Sequence, residues 1–327
     1  MKVPIKQGVW KRLLEMDGEP ISGQKLAEEL GVSRTAIWKA VQTLQSEGFE
    51  IDSVKKSGYA IHAKPAFLTL EEMQQYRTSE QIGKYIHLYP SLTSTQVIAH
   101  EKAQHGALHG TVIVSEEQTA GRGRLQRKWD SGAGKGLWMT IILRPDIHVS
   151  RAPQLTLIAA VAVVKGIEDV TGVQAQIKWP NDVLINGKKC TGILTELQAD
   201  VDRVQAVLLG IGINVLHDKE DFPEELKDIA TSLKMESGEA VNRAKLAATI
   251  WNYLEKYSDL YLEQGFEPIR LLWESYSTSI GQQIIARTAR EVIEGRAKGI
   301  TKDGVLLVED STGKIHEIYS ADIELTT

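Results

Sequence analysis

Cysteine is nearly absent from this sequence of 327 residues, since Cys190 is the only one. A single cysteine excludes an internal disulfide framework and suits a reducing compartment. Long hydrophobic runs are absent too, because the longest, Leu157–Val164, has eight residues, whereas a helix needs about 20 to span a bilayer. The first residues show neither the apolar core nor the small-residue cleavage site of a signal peptide. These absences predict a cytoplasmic protein.

The chain also has little excess of one charge over the other, since its formal net charge is only −5. The protein as a whole is therefore not a general binder of polyanions. The distribution is uneven, however, since the first 64 residues hold 10 Lys and Arg against 8 Asp and Glu. This modest excess favours a nucleic-acid-binding module at the front of the chain. Hydrophobic residues make up 42% of the sequence, which is enough for a real core, and the length predicts two or three domains.

The first 65 residues show the pattern of a winged helix-turn-helix domain. Ser22 and Ser33 can each cap a helix, and Gly31 lies in the turn between the two helices. Two alternating stretches joined by the basic turn KKSG predict a hairpin, the wing. A pair of surface helices with solvated charges is the alternative interpretation. The candidate DNA-binding residues lie on the outward face of the second helix and in the wing turn: Arg34, Thr35, Lys39, Gln42, Lys55 and Lys56.

The remaining chain divides into an α+β region and a β-rich region. A boundary is expected near Lys64–Pro65, after which Thr69 and Glu72 form a capping box for a new helix. Helices and strands then alternate, with a hairpin predicted around Asn186-Gly187. The last stretch shows only short strands between turns. The sequence therefore predicts an α+β multidomain protein with a DNA-binding domain at 1–65, a mixed-sheet domain at 66–276 and a small β-barrel at 277–327.

The stretch GRGRLQRKW at 121–129 combines two glycines with three arginines. Glycine lets the backbone wrap a ligand closely, and arginine offers forked donors to phosphate or carboxylate. The spacing matches neither a dinucleotide-binding fingerprint nor a Walker loop, because residue 126 is glutamine and no Gly-Lys-Ser/Thr follows. On its own, this loop is as consistent with an ordinary basic surface loop as with an anion site.

Other stretches favour a binding site. KWPND at 178–182 places a lysine, an amide and a carboxylate at a strand end, although a turn with an Asx cap would also produce it. GIGIN at 210–214 implies the close approach of a ligand or a second backbone, or else packing against a helix. SLTSTQ at 91–96 offers hydroxyls that could bind a polar headgroup or cap a helix. The long acidic connection at 217–233 has the length of a lid or binding loop.

With these motifs in this order, the chain resembles the bifunctional biotin–protein ligases that double as biotin-operon repressors. The resemblance extends over essentially the whole chain and is carried by STQ at 94–96, QTAGRGRLQRKW at 118–129, KWPNDVLINGKKCTGILTE at 178–196 and GIGINV at 210–215. It implies a class II synthetase-like fold for the central domain and an SH3-like fold for the barrel.

The resemblance also implies an activity and its partners. The enzyme would use ATP with Mg²⁺ to form biotinyl-5′-AMP. It would then transfer biotin to a lysine of the biotin carboxyl carrier domains of carboxylases such as acetyl-CoA carboxylase and pyruvate carboxylase. With the adenylate bound, a homodimer would repress transcription from operator DNA, and no membrane would be involved.

Roles for individual residues follow from the same resemblance. Lys189, Arg124 and Arg122 would offset the repulsion between the two anions that must react, and Asp182 is the candidate base for the carrier lysine. The motifs assign no ligands to Mg²⁺. The nucleotide would be bound by Arg124, Trp129, Lys178, Asn181 and Asn214. Biotin would be bound by Ser94, Thr95, Gln96, Gln118, Gly121, Arg122, Gly123, Arg124, Lys189, Gly210 and Gly212.

Two other functions remain open at this point. A ligand-sensing transcription factor would share the helix-turn-helix but would bind a small acid without activating it, and the release of pyrophosphate from ATP distinguishes the two. A lipoate ligase shares the acyl-adenylate chemistry. The compact GRGR loop and the DNA-binding domain argue against it, and an assay that offers both acids decides.

Overall fold

The structure, a computed structural model, describes residues 5–16, 18–46, 49–54, 57–63 and 67–325. The chain packs as two compact units, Met1–Gln75 and Tyr76–Thr327. The boundary predicted at Lys64–Pro65 lies outside the described residues, and the division into three domains stays a prediction. Within the described part of the chain, no helix combines the length and apolar character needed to cross a membrane.

The first unit is a winged helix-turn-helix. Its helix caps are those predicted, since Ser22 accepts a hydrogen bond from the Lys25 amide at 3.1 Å and Ser33 accepts one from the Ala36 amide at 3.2 Å. Gly31 ends the helix that Ser22 caps and is in the left-handed conformation, with φ 64°. The elements are α1 (Ile5–Glu15), α2 (Gly23–Leu30), α3 (Arg34–Ser46), the antiparallel strands β1 (Glu50–Val54) and β2 (Gly58–Ala63), and the short helix α4 (Leu70–Tyr76).

A single apolar cluster holds this unit together. Trp10 and Phe49 meet edge to face at 6.2 Å between ring centroids, and both are buried. The inward side chains of α3, Ile37, Val41 and Leu44, are fully buried in the same cluster. Because these residues recur every three or four positions, the opposite face of α3 is directed to solvent.

The second unit is built on a seven-stranded mixed sheet with the order β3-β4-β5-β9-β8-β7-β6. Only β3 and β4 are parallel, and all other neighbours are antiparallel. The predicted hairpin joins β7 to β8, with Asn186 and Gly187 at φ 49° and 77°. The strands are β3 (Ile86–Tyr89), β4 (Thr111–Ser115), β5 (Gly136–Leu143), β6 (Gln176–Lys178), β7 (Asp182–Ile185), β8 (Lys188–Asp200) and β9 (Arg203–Asn214).

Helices pack on this sheet through long apolar faces. The helix predicted at 152–170 is almost entirely buried, which fits its continuous apolar sequence. Arg243, at the start of the longest helix, forms an ion pair with Glu116 at 2.8 Å, and both side chains are about 95% buried. The helices of this unit are α5 (Thr95–Gln104), α6 (Ala152–Thr171), α7 (Leu233–Ser237), α8 (Arg243–Gln264) and α9 (Glu267–Tyr276).

The C-terminal β-rich segment, called the barrel below after its predicted fold, forms a five-stranded antiparallel sheet that belongs to the second unit. It is joined to the larger sheet by hydrogen bonds, such as those from the Thr278 amide to Ile177 O at 2.9 Å and from Trp179 Nε1 to Gly304 O at 3.3 Å. The order is β13-β12-β11-β10-β14. Its strands are β10 (Gln283–Arg287), β11 (Val292–Ile300), β12 (Leu306–Glu309), β13 (Ile315–Ile318) and β14 (Asp322–Leu325).

Candidate active site and nucleic-acid interface

A cavity of about 640 Å³ brings the sequence motifs of the second unit together. It is lined by the start of α5, the loop at 118–135, the strands β8 and β9, the connection at 217–233 and the end of the barrel. Gly121 is the only candidate for binding biotin or nucleotide that does not line it. The candidates that line it are Ser94, Thr95, Gln96, Gln118, Arg122, Gly123, Arg124, Trp129, Lys178, Asn181, Asp182, Lys189, Gly210, Gly212 and Asn214.

One wall of the cavity consists of polar side chains at the start of α5. Ser94 caps this helix by accepting a hydrogen bond from the Gln96 amide at 3.3 Å. The Thr95 amide donates to Gln118 Oε1 at 2.8 Å, and Gln118 Nε2 in turn donates to Ser131 Oγ at 3.0 Å. The two interpretations of the hydroxyl-rich stretch, a helix cap and a polar binding wall, are therefore compatible.

The glycine–arginine loop folds into a tight hairpin. The Gly123 amide donates to Arg127 O at 2.8 Å, and the Trp129 amide donates to Gly121 O at 2.9 Å. Its tip carries Leu125 and Gln126 at φ 55° and 60°, a region that residues other than glycine rarely adopt. Gly121 is required by the loop itself, because a Cβ there would lie 2.6 Å from Trp129 O.

Two cationic side chains, Arg124 and Lys189, line the cavity beside this loop. Arg124 Nη1 donates to Asn181 Oδ1 at 3.1 Å. Lys189 Nζ lies 2.7 Å from Asp182 Oδ1 and 5.4 Å from the centroid of the Trp129 ring. Burial lowers the pKa of Arg124, and the nearby carboxylate of Asp182 opposes this shift. Because arginine stays protonated in proteins, a fixed positive charge is held in a partly desolvated place.

Arg122 has a different partner. Its Nη2 lies 3.2 Å from Glu196 Oε1 on β8. The same carboxylate is 3.0 Å from His100 Nε2 and 3.2 Å from Gln96 Nε2. Arg122 and Arg124 are thus held by different groups, Arg124 by Asn181 and Arg122 by Glu196. Sequence reasoning missed Glu196, because a glutamate in a strand carries no local signal of an ion pair.

The glycines of β8 and β9 make room for an aromatic side chain. A Cβ at Gly212 would lie 2.6 Å from Trp129 Nε1, and one at Gly192 would lie 2.9 Å from the same ring. At Gly210, a Cβ would lie 3.1 Å from the Gln96 side chain. The sequence predicts that another group lies close to the glycines of β9. The groups that do so are side chains of the cavity wall.

The connection at 217–233 is folded against the cavity. The Lys189 amide donates to Ile229 O at 2.8 Å, and the Thr231 amide donates to Lys189 O at 2.9 Å, so the connection fixes the backbone of that lysine. The His217 ring stacks on Phe222 with centroids 5.1 Å apart. Burial lowers the pKa of His217 to about 4, which keeps its ring neutral at physiological pH.

Several buried polar atoms of the cavity have no hydrogen-bond partner. They are Gln96 Oε1, Arg122 Nε, Trp129 Nε1 and His217 Nδ1. Buried polar atoms in proteins are nearly always paired. Their concentration around one cavity indicates a place for a polar ligand.

The candidate DNA-binding residues of α3 form one exposed face. Arg34, Thr35, Lys39 and Gln42 are all exposed, as the helical pattern predicts. Trp38 lies on the same face and is 52% exposed, which is unusual for tryptophan. Sequence reasoning missed this residue. The candidates in the wing turn, Lys55 and Lys56, lie outside the described residues.

Fold and site together define a class of protein. A winged helix-turn-helix with an exposed basic face is a DNA-binding module, and a cavity that holds fixed cations beside a polar wall suits the activation of an acid by a nucleotide. The class is a DNA-binding ligase.

Comparison with known proteins identifies the family. Three family models match: an HTH domain at residues 10–60, the biotin/lipoate A/B protein ligase family at 88–214 and the biotin protein ligase C-terminal domain at 279–326. The bifunctional ligase/repressor BirA of Bacillus subtilis is 49% identical over 325 residues, covering 99% of this chain and 100% of its own length. The biotin–[acetyl-CoA-carboxylase] ligase of Paracoccus denitrificans is 34% identical, covering 62% of this chain and 85% of its own length.

A solved structure agrees with this assignment. The biotin protein ligase from Aquifex aeolicus in complex with biotin and ATP matches with a TM-score of 0.64 and 30% identity, covering 74% of this chain and 99% of its own. The chain therefore belongs to the biotin protein ligase family, within the bifunctional ligase/repressors. The expectation of a biotin–protein ligase with a DNA-binding domain is confirmed, as are the α+β multidomain fold and its N-terminal helix-turn-helix.

Proposed function

We propose that the cavity binds biotin and ATP side by side and joins them into biotinyl-5′-AMP. The polar wall at Ser94, Thr95 and Gln118 would hold the headgroup of biotin, because it offers hydroxyl and amide groups in a desolvated place. The Trp129 ring and the connection at 217–233 would enclose the nucleotide. The carboxylate of biotin would then lie near Lys189 and Arg124.

The first step joins two anions. An oxygen of the biotin carboxylate attacks the α-phosphorus of ATP, the bond from that phosphorus to the bridging oxygen of the β-phosphate breaks, and pyrophosphate leaves. Arg124 and Lys189 offset the repulsion between carboxylate and phosphate, since both carry fixed charge at one side of the cavity. Arg122 would add to this effect after exchanging Glu196 for the ligand.

The second step transfers biotin to a carrier domain. The neutral amine of a carrier lysine attacks the carbonyl carbon of the adenylate, the bond from that carbon to the phosphate oxygen breaks, and AMP leaves. Asp182 lies at the cavity with its carboxylate 2.7 Å from Lys189 Nζ. This position lets Asp182 act as the base that accepts the proton from the attacking amine.

Magnesium would enter with the nucleotide. The described residues contain no cluster of three His, Cys, Asp or Glu side chains of the kind that holds a resident metal ion. Mg²⁺ usually keeps several waters and binds through substrate phosphates with one or two carboxylates, so an ion that accompanies ATP needs no such cluster. When bound, it would neutralise phosphate charge.

The edge of β8 is the proposed docking edge for two competing partners. β7 pairs with β8 only as far as Gly192, and Ile193 bonds to Asn181. No other strand of the described chain pairs with this edge beyond that point, so the alternating main-chain groups of Thr195 and Leu197 are left for a partner strand. Either a second copy of the chain or a carrier domain would use it. A dimer formed there would present two α3 helices to a two-fold operator.

The observation that supports this function best is the meeting of Arg124, Lys189 and the unpaired polar atoms in one cavity. The test mixes the protein with MgATP, a carrier fragment and equal amounts of biotin and lipoate. We expect release of pyrophosphate and AMP, and a mass gain equal to one biotinyl group on a single carrier lysine. A mass gain equal to lipoyl, or binding of biotin without pyrophosphate release, would contradict the proposal.

A second experiment separates the two activities. A chain without residues 1–64 should form the adenylate and lose binding to operator DNA. If the truncated chain kept operator binding, the assignment of DNA binding to the first unit would be wrong.

A further inference from the structure

The C-terminal barrel contacts the arginine loop through two side chains. Arg124 Nη2 donates to Ser320 Oγ at 2.7 Å. Arg127 donates to both carboxylate oxygens of Asp322, through Nη1 at 3.3 Å and through Nη2 at 2.5 Å. Asp322 begins β14 and pairs there with Arg287 of β10. The tip of the loop is thus bound to the barrel at and just before the start of β14. The contacts of Arg124 with Ser320 and of Arg127 with Asp322 are called the loop–barrel clamp below.

The loop needs such an attachment. Leu125 and Gln126 lie between the two clamped arginines in a strained backbone conformation, which persists only where surrounding contacts enforce it. The side chain of Leu125 is 75% exposed and contributes little packing. The tip is therefore held by its own backbone hydrogen bonds, by the bond from Arg124 to Asn181 and by the contacts with the barrel.

We propose that Ser320 and Asp322 are positioning residues that hold Arg124 at the place where biotin and the α-phosphate join. This inference rests on the proposed function. An arginine has five N–H donors, so bonds to Ser320 and Asn181 leave donors for a phosphate. Without the clamp, the loop tip would move more freely, and Arg124 would spend less time in contact with the adenylate. The barrel thereby acquires a role in retaining the reactive intermediate.

Charge supports the clamp at neutral pH. The hydrogen bond from Arg127 lowers the pKa of Asp322, and the positive charges of Arg124 and Lys178 act in the same direction. The carboxylate therefore stays ionised, and its two parallel hydrogen bonds with Arg127 have the bidentate geometry that fixes orientation as well as distance.

Limited proteolysis tests the mechanical part of the proposal without any ligand. Trypsin cleaves after lysine and arginine, and the loop contains Arg122, Arg124, Arg127 and Lys128. We expect Asp322→Asn to be cut within the loop several times faster than the wild-type protein. The matched control is Glu309→Gln, which removes another ion pair of the barrel, with Lys298 at 3.0 Å, and should leave cleavage unchanged. Equal cleavage of all three proteins would overturn the clamp.

The dissociation rate of biotinyl-5′-AMP tests the functional part. The side chains of Arg127 and Asp322 are 64% and 47% exposed, so Asp322→Asn should speed dissociation only about two- to fivefold. Adding Ser320→Ala should raise the effect to roughly tenfold. Asp322→Glu, which keeps the charge, should retain most of the slow release, and Glu309→Gln should behave like wild type.

A double-mutant cycle shows whether the effect passes through Arg127. Arg127→Gln combined with Asp322→Asn should release the adenylate no faster than Arg127→Gln alone. Unchanged dissociation in Asp322→Asn, or fully additive effects in the cycle, would overturn the positioning role. If the wild-type protein formed no adenylate, the proposed function would fail, whereas proteolysis would still decide whether the barrel holds the loop.

Discussion

Replacing Arg243 with methionine should destabilise the second unit by about 3–5 kcal/mol, because it leaves the buried carboxylate of Glu116 without this cation. The Arg243 guanidinium reaches Glu116 twice, at 2.8 and 3.2 Å, and also donates to Gly136 O at 3.0 Å. Glu116 follows β4 and Gly136 begins β5, so this one arginine links both ends of the segment that carries the glycine–arginine loop to helix α8.

The double variant Arg243→Met with Glu116→Leu separates charge from packing. Removing both charges should recover most of the loss, and the loss of the hydrogen bond from Arg243 to the Gly136 carbonyl should leave a deficit of about 1 kcal/mol. The control is Arg287→Met, which removes an ion pair with Glu324 at 2.9 Å that is about half exposed, and its loss should cost far less stability.

The measurement is the free energy of unfolding of the second unit, from urea denaturation followed by circular dichroism. Arg243→Met is expected to lose several times more stability than Arg287→Met. Equal losses in the two single variants, or a double variant less stable than Arg243→Met alone, would show that the buried ion pair does not act as described.

Three further predictions concern the cavity and the DNA-binding face. Gly212→Ala should displace the Trp129 ring, because the new Cβ would lie 2.6 Å from Nε1. We expect a loss of stability of about 1–3 kcal/mol and weaker ATP binding by calorimetry. The control Gly132→Ala, which has open space around the new Cβ, should unfold at the wild-type temperature. Burial lowers the pKa of His217 to about 4, below about 6.5 in the unfolded chain. The unfolded state therefore binds the proton first as pH falls, and stability should drop by about 3 kcal/mol between about pH 6.5 and 4; a His217→Gln variant that shows the same drop would contradict this cause. Lys39→Ala should weaken DNA binding evenly across sequences and reduce the salt slope by about 1, and an unchanged slope in filter binding would remove Lys39 from the interface.

Local sequence signals predicted the elements that frame the site. The caps at Ser22 and Ser33 and the turn at Asn186-Gly187 depend on groups two or three residues apart, and all three are confirmed. The residues that line the cavity were also predictable, because the motifs lie at strand ends and helix starts that the fold brings to one place. That prediction drew on the resemblance to a family as well as on the residues.

The partners of these residues could not be predicted. Arg122 meets Glu196 across 74 positions, and Arg127 meets Asp322 across 195. Nothing near either arginine indicates which of the chain's carboxylates it will face, because the fold decides that. The low pKa of His217 is hidden for the same reason, since it follows from burial of the ring.

The sequence correctly predicted a close approach to the glycines of β9 but not the groups that approach them. The glycines in β9 were expected to admit a ligand, a second backbone or a helix. They admit the side chains of Trp129 and Gln96, which are themselves part of the cavity wall. A pattern of small residues shows that something approaches closely, but the identity of the neighbour depends on tertiary structure.

The proposed chemistry depends on fixed cations that hold two mutually repelling acids together in the cavity. The most direct measurement is the single-turnover rate of pyrophosphate release from biotin and ATP in Arg124→Ala, compared with Arg203→Ala, an arginine at the exposed tip of the β8–β9 hairpin. We expect a fall of about 100-fold or more for Arg124→Ala and no change for the control. A wild-type rate in Arg124→Ala, with biotin and ATP still bound, would contradict the proposed chemistry.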